Sequence, residues 1–247
     1  MPPRRSAQEP LTRPVVWVVG ASSGIGREIA RSFAAIGATV CVSGRRGHLL
    51  NRLCREIETT GGRAFSVAFD VSDPLKTSAA WKTVRKKAGP VDVLVNNAGI
   101  TVFKPFADTS LREFHDIVAT NLLGPVGCVK AVLPDMVRRR SGWVFNILSN
   151  AAVKTFEGSS AYTATKAGML GFGRVLREEL RTKNVRVVSI LPGATDTPMW
   201  SAAARKRYRR RMMSAASVAE AVVSAYLMPA DVVVDEMVIR PVGGDLG

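Results

Sequence analysis

The sequence predicts an α/β fold: one domain built on a doubly wound parallel sheet with helices on both faces. Three observations carry that reading. Short apolar runs alternate with helix-like segments along the whole chain, and such alternation implies right-handed βαβ units whose helices cover a parallel sheet. The first run, Val15–Val19, is apolar at every position, as a strand buried on both faces requires. The chain has 247 residues, 47% of them hydrophobic, with no internal repeat or low-complexity tract, which suits one large core.

The elements follow in order. Met1 to Pro14 holds four prolines, three arginines and no apolar run; residues 1–14 are expected to form a mobile basic arm, without the hydrophobic stretch of a secretory signal, ahead of a domain at 15–247. The strand Val15–Val19 empties into Gly20-Ala21-Ser22-Ser23-Gly24-Ile25-Gly26 and then a helix-like stretch. In such a unit, glycines let the backbone approach a pyrophosphate at the helix N-terminus, although the spacing is GxxxGxG rather than GxGxxG and a plain tight turn uses the same residues. Further strands are expected at Thr39–Val42, Ala64–Phe69, Val91–Val95, Trp143–Leu148, Val185–Leu191 and Glu236–Ile239. No run approaches the roughly 18 apolar residues of a membrane span, so none is expected.

Tyr162 and Lys166 stand four residues apart on a stretch of helical composition, so both side chains leave one face. A phenol with its ordinary pKa of about 10 is a poor acid near neutrality, and a neighbouring ammonium lowers it. A packed ring beside a solvated charge has the same spacing. Cys41, Cys54 and Cys128 are scattered and read as buried thiols in a reducing cytoplasm rather than a disulfide framework.

Taken together these motifs resemble the short-chain dehydrogenase/reductase family, from about Val15 to the C-terminus. Gly20, Gly24, Ile25 and Gly26 match its cofactor loop, Asn96-Asn97-Ala98-Gly99 its Asn-Asn-Ala-Gly motif, and Asn121, Ser149, Tyr162 and Lys166 its catalytic set. Leu191-Pro192-Gly193, with Thr195 and Thr197 beyond it, resembles the segment at the nicotinamide end; Asp70-Val71 matches the position that meets adenine. The resemblance implies a Rossmann-type fold, with Ser22, Ser23, Asn97, Ala98 and Gly99 also touching the cofactor. It implies hydride transfer between nicotinamide and a carbonyl or secondary alcohol. Tyr162 would exchange the proton, Lys166 would lower its pKa and hold the nicotinamide ribose, Ser149 would donate to the carbonyl oxygen, and Asn121 would hold a water leading from Lys166 to solvent. No metal is expected.

Cofactor choice is read at the end of the second strand, Val42-Ser43-Gly44-Arg45-Arg46. NAD sites place a carboxylate there for the ribose 2′-hydroxyl; here two guanidiniums face a 2′-phosphate instead. NADP(H) is therefore expected over NAD(H), with Arg45 the main contact, Arg46 beside it and Ser43 a helper, unless both arginines simply face solvent. Family positions around the substrate are Val102, Phe103, Phe106, Val153, Phe156, Met199 and Trp200, an apolar set that suits a lipophilic carbonyl or alcohol as well as it suits core packing. Val19, Leu148 and Ala152 depart from the commonest family residues, and the ending Val242-Gly243-Gly244-Asp245 departs from that of 3-oxoacyl-carrier-protein reductases.

The net charge of +15 is concentrated: Arg205–Arg211 carries six cations in seven residues, on a segment, about 194–216, that the family closes over its substrate. A solvated face, a guide for an acidic substrate or acyl carrier, and a contact to an anionic surface all fit such a run; no nucleic-acid motif accompanies it, so nucleic acid is not an expected partner. Apolar stretches at Val126–Leu133 and Ala167–Leu176 suggest a homodimer or homotetramer through two-fold axes. The rival class is a non-catalytic NADP(H)-binding regulator or scaffold that uses the basic segment.

Overall fold

The computed structural model describes residues 13–246, so the expected arm at 1–14 lies outside the described residues except for Arg13 and Pro14. Seven strands form one sheet: β1 (Val15–Val19), β2 (Thr39–Gly44), β3 (Arg63–Ala68), β4 (Val93–Asn96), β5 (Gly142–Ile147), β6 (Val185–Pro192) and β7 (Glu236–Ile239). Every neighbouring pair is parallel, in the order β3-β2-β1-β4-β5-β6-β7. The helices are α1 (Gly24–Ala35), α2 (Gly47–Thr59), α3 (Pro74–Ala88), α4 (Leu111–Val118), α5 (Gly124–Arg139), α6 (Ser160–Leu180), α7 (Ala202–Tyr208) and α8 (Ala215–Tyr226). Winding reverses between β1 and β4, and in such sheets ligands bind in the crevice at the carboxyl ends of the strands.

Side-chain alternation along the strands builds two cores. Val16 and Val18 of β1 pack with Ile29 and Phe33 of α1, Leu53 of α2 and Val222 of α8; Trp17 faces the other way, with Val84 of α3, Val132 of α5 and Leu176 of α6. The expected strands are all present, five of them with ends displaced. β2 and β6 run further, to Gly44 and Pro192, β3 and β5 sit one residue earlier, and β4 begins at Val93 rather than Val91. At that strand Asp92 carboxylate accepts from the Val15 amide at 2.8 Å, so a side chain occupies the first pairing position.

Local chemistry sets helix ends. Asp73 accepts from the amides of Leu75 and Lys76, Pro74 opens α3, and Arg85, Lys86 and Lys87 lie at its C-terminal end, where the helix dipole favours cations. Ser110 and Glu113 form a capping box on α4. Between α4 and α5 the helix widens into a π segment, Ala119–Leu123, next to Pro125, which has no N–H for the carbonyl four residues back. The continuous stretch Leu111–Arg139 is long and apolar enough to cross a membrane by length and composition alone, a departure from the sequence expectation. Here it packs into the domain through Cys128, Val129, Val132 and Met136. The three cysteines are free and buried; burial pushes the Cys41 and Cys128 thiols up to about 12 and the Cys54 thiol to about 11, which makes them poor nucleophiles.

Candidate active site

A cavity of about 900 Å³ runs along the carboxyl ends of the strands. Gly20, Ser22, Ser23, Gly24, Ile25, Arg45, Arg46, Asp70, Val71, Asn97, Ala98, Gly99, Pro192, Gly193, Thr195 and Thr197 all lie on its wall, as the motifs predict. The loop after β1 is held by the Ser43 carbonyl, which accepts from the amides of Gly20 and Ala21 at 2.8 and 2.9 Å. Gly20 has φ +92°, and a Cβ there would sit 2.5 Å from the Ala98 nitrogen; only glycine admits this approach. At the start of α1 no acidic side chain stands in the first turn and Ser23 makes no capping bond, which leaves amide donors turned to the cavity.

Two predicted contacts are corrected. Ser43 is fully buried and absent from the wall, and its hydroxyl accepts from the Trp17 indole N–H at 2.9 Å. Strand alternation turns it into the core, so its side chain cannot help bind a phosphate. Gly26 is also off the wall. A Cβ there would strike the Asn97 side chain and the Gly20 carbonyl, so its smallness seats α1 against the sheet. Arg45 and Arg46 are both exposed on the wall. Arg46 reaches the hydroxyls of Ser22 and Ser23 at 2.7 and 2.8 Å, a tie between the second strand's end and the glycine loop.

At the other end α6 presents Tyr162 and Lys166, both buried. Gly173, where a Cβ would lie 3.1 Å from Ser189 Oγ, keeps this helix close to the sheet. Lys166 Nζ donates to the Ile147 carbonyl at 3.0 Å and lies 5.6 Å from the Tyr162 ring centre. Burial pulls its pKa down to about 8. Tyr162 is raised by burial and lowered by its hydrogen bond with Ser149, so desolvation, not the ammonium, dominates the phenol, contrary to the expected lowering by Lys166. Asn121 stands in the π segment, off the wall. Its Oδ1 accepts from the Ile100 amide and its Nδ2 donates to the Ile100 carbonyl, both at 2.8 Å, and Nδ2 also reaches Thr165 Oγ1 at 3.3 Å. The side chain therefore clamps the loop after β4 behind Lys166.

The remaining wall is apolar. Phe103, Phe156, Met199 and Trp200 line it as expected, with the Phe103 ring stacked on Trp200 at 6.4 Å and 6.1 Å from Tyr162. Val102, Phe106 and Val153 do not line it; all three are exposed, although neighbours such as Phe103 and Ala151 are on the wall. The basic segment rises from a narrow base, where Met213 N–H donates to the Ala194 carbonyl and Asp196 N–H to the Met213 carbonyl, each at 2.9 Å. Asp196 holds Arg205 and Arg209 at 2.6 and 3.0 Å, while Arg207, Tyr208 and Arg211 line the cavity. Sequence reasoning did not single out Asn150, Asp245 or Leu246, which also line it. Only the fold brings the C-terminal tail there. Among the described residues no three His, Cys, Asp or Glu side chains cluster as metal ligands.

The short chain dehydrogenase family description matches residues 14–208. Sepiapterin reductase of Chlorobaculum tepidum is 33% identical over 239 residues, covering 94% of this chain and 98% of that one. Among solved structures, an alcohol dehydrogenase from the archaeon Thermococcus sibiricus, complexed with 5-hydroxy-NADP, superposes with a TM-score of 0.86 at 29% identity over 95% of this chain and 99% of that one. An actinorhodin polyketide ketoreductase with NADPH gives a TM-score of 0.86 at 31% identity, covering 93% and 96%. The chain belongs to the short-chain dehydrogenase/reductase family and is an NAD(P)-dependent oxidoreductase with a Rossmann-type fold.

Proposed function

We propose that this oxidoreductase uses NADPH to reduce a carbonyl group on an apolar small molecule, or runs the reverse oxidation of a secondary alcohol. The observation that carries the reading is the Ser149–Tyr162–Lys166 cluster, its Tyr162 and Lys166 buried, at the end of a cavity whose opposite end holds Arg45 and Arg46. The cavity fits the cofactor: Gly20 leaves room for close backbone approach, the α1 N-terminus is free of acid, and no carboxylate ends β2. Ser22, Ser23 and Arg46 would hold phosphate oxygens, Arg45 the 2′-phosphate, Asp70 and Val71 the adenine, and Asn97 to Gly99 with Pro192, Gly193, Thr195 and Thr197 the nicotinamide side. When bound, the nicotinamide supplies or accepts the hydride.

The chain's own residues supply the rest. Ser149 Oγ and the Tyr162 hydroxyl donate to the carbonyl oxygen and orient it, and Tyr162 delivers the proton as negative charge develops there. Lys166, with one proton on the Ile147 carbonyl, stabilises the phenolate left behind. Asn121 holds the loop that faces Lys166. Residues 194–216 form the proposed lid, and Phe103, Phe156, Met199 and Trp200 exclude water from the reacting carbonyl. Because Asp196 occupies Arg205 and Arg209, the proposed anionic partner of the basic segment falls to Arg207 and Arg211 on the cavity side, a place for an acidic end of the substrate. Exposed Leu123 and Val175 on the α5 and α6 side offer surface for self-association, and three buried free thiols suit a cytoplasmic setting.

The test is NADPH oxidation across a panel of apolar ketones and aldehydes, each with a carboxylate-bearing counterpart, for the parent and Tyr162→Phe. Loss of at least about 10²-fold in turnover with the fold intact is expected of the variant. A phenylalanine variant that turns over at the parental rate sinks the proton assignment; tight NADPH binding with no turnover of any compound favours the regulator.

A further inference from the structure

The tail after β7 returns to the cavity. Gly244, at φ +82°, closes a turn by donating to the Pro241 carbonyl at 2.9 Å, and the next side chain, Asp245, is buried with 7% exposure. Asn150 Nδ2 donates to its Oδ1 at 2.7 Å. Lys154 and Arg240 bracket its other oxygen at 3.2 and 3.6 Å.

A carboxylate only accepts hydrogen bonds, so Asp245 fixes which way the Asn150 amide faces. Nδ2 points to the tail and Oδ1 to Ser149, whose hydroxyl donates to it at 3.3 Å while accepting from the Ala151 amide at 3.1 Å. The Ser149 oxygen is thereby pinned beside Tyr162 with its hydrogen in a long, easily exchanged bond. An arriving carbonyl oxygen can take that hydrogen without moving the oxygen. If the amide turned over, Nδ2 would instead donate to Ser149 Oγ, and the Ser149 hydrogen would lose the acceptor that orients it.

We propose that Asp245 is a positioning residue of the active site: through Asn150 it sets the orientation of the Ser149 hydroxyl beside Tyr162. The proposal rests on the roles given above to Ser149 and Tyr162. It makes the C-terminal tail part of the site.

The experiment is a double-mutant cycle of Asp245→Ala with Ser149→Ala, with Asp245→Asn as the conservative variant that keeps an acceptor for Asn150. Two readouts are taken: kcat on the best carbonyl substrate of the panel, and NMR of isotope-labelled tyrosine in the ligand-free protein, with the Tyr162 signal assigned by Tyr162→Phe. Coupled residues in one hydrogen-bond network interact by roughly 0.5–3 kcal/mol. Asp245→Ala should therefore lower kcat about tenfold and shift the Tyr162 signal, Asp245→Asn should restore most of both, and neither change should appear in the Ser149→Ala background. Additive losses, an unmoved Tyr162 signal, or an asparagine variant no better than alanine would each overturn the proposal and leave Asp245 as an anchor of the tail. Absence of carbonyl turnover defeats the reductase reading instead, and the Tyr162 signal still decides this one.

Discussion

The two ends of the cavity are built on opposite principles. At the inner end Asn121, Ser149, Tyr162 and Lys166 sit on α6, the π segment and the end of β5, and all but the half-buried Ser149 are buried. At the outer end Arg45 and Arg46 are exposed, and Arg46 is tied only to two hydroxyls that solvent also reaches. Burial shifts the pKa of Tyr162 and Lys166; the arginines stand exposed, where in the proposed reading they meet a charge that a ligand brings. In the proposed reading, proton chemistry is thus paired with the core, at a cost in stability, and cofactor choice with the surface.

Lys166→Met should break this contrast most. Turnover should fall by at least about 10²-fold, the scale of lost acid-base support. Stability should move the other way. Because Lys166 is pulled from 10.5 to about 8, the unfolded chain binds more protons between those values and parental stability climbs with pH across that window. Below about pH 8 the folded protein carries the whole burden of a buried ammonium, on the order of 3 kcal/mol. The methionine variant should gain at least about 1 kcal/mol at neutral pH, a rise of roughly 2–4 °C in Tm, and lose the upward slope. Calorimetry at several pH values reads this; a variant less stable than the parent would mean that the Lys166–Ile147 bond outweighs desolvation.

The outer end is tested by Arg45→Ala and Arg46→Ala, separately and together. Each lost charge-assisted bond is worth roughly 1.5–3 kcal/mol, so the NADPH over NADH ratio of kcat/KM should fall at least about tenfold in the double variant with Tm almost unchanged. Gly44, at φ +159°, is a poorer place for a new carboxylate, because a side chain there is strained. A parental ratio that favours NADH would remove the phosphate reading altogether. The smallest functional effect should come from Ser43→Ala, which leaves the Trp17 indole N–H buried without its acceptor. Stability should drop by about 1–3 kcal/mol while the KM for NADPH stays within about twofold; a large rise in that KM would restore Ser43 to the phosphate site.

The strands and motifs were legible because buried parallel strands are apolar on both faces and the glycine turn and Tyr162–Lys166 spacing are local. β1 and β7 have the expected bounds, and the four catalytic candidates and four aromatic or thioether pocket candidates come together. What misled was facing: Ser43 stands near the end of a strand and looks like a phosphate ligand until alternation turns it toward Trp17. Val102, Phe106 and Val153 are apolar, yet they are exposed and off the wall.

The sequence by itself determined the sheet, the glycine loop and the family, because each rests on a continuous apolar run or on motifs whose side chains lie within a few residues of one another. Tertiary structure alone decided the rest. The contact of Asp245 with Asn150 joins positions 95 apart, and that of Ser43 with Trp17 joins positions 26 apart. Asp196 holds two arginines and leaves Arg207 and Arg211 to the cavity. No local spacing encodes such pairings; they arise only when winding order, strand register and loop path bring distant segments within hydrogen-bonding reach.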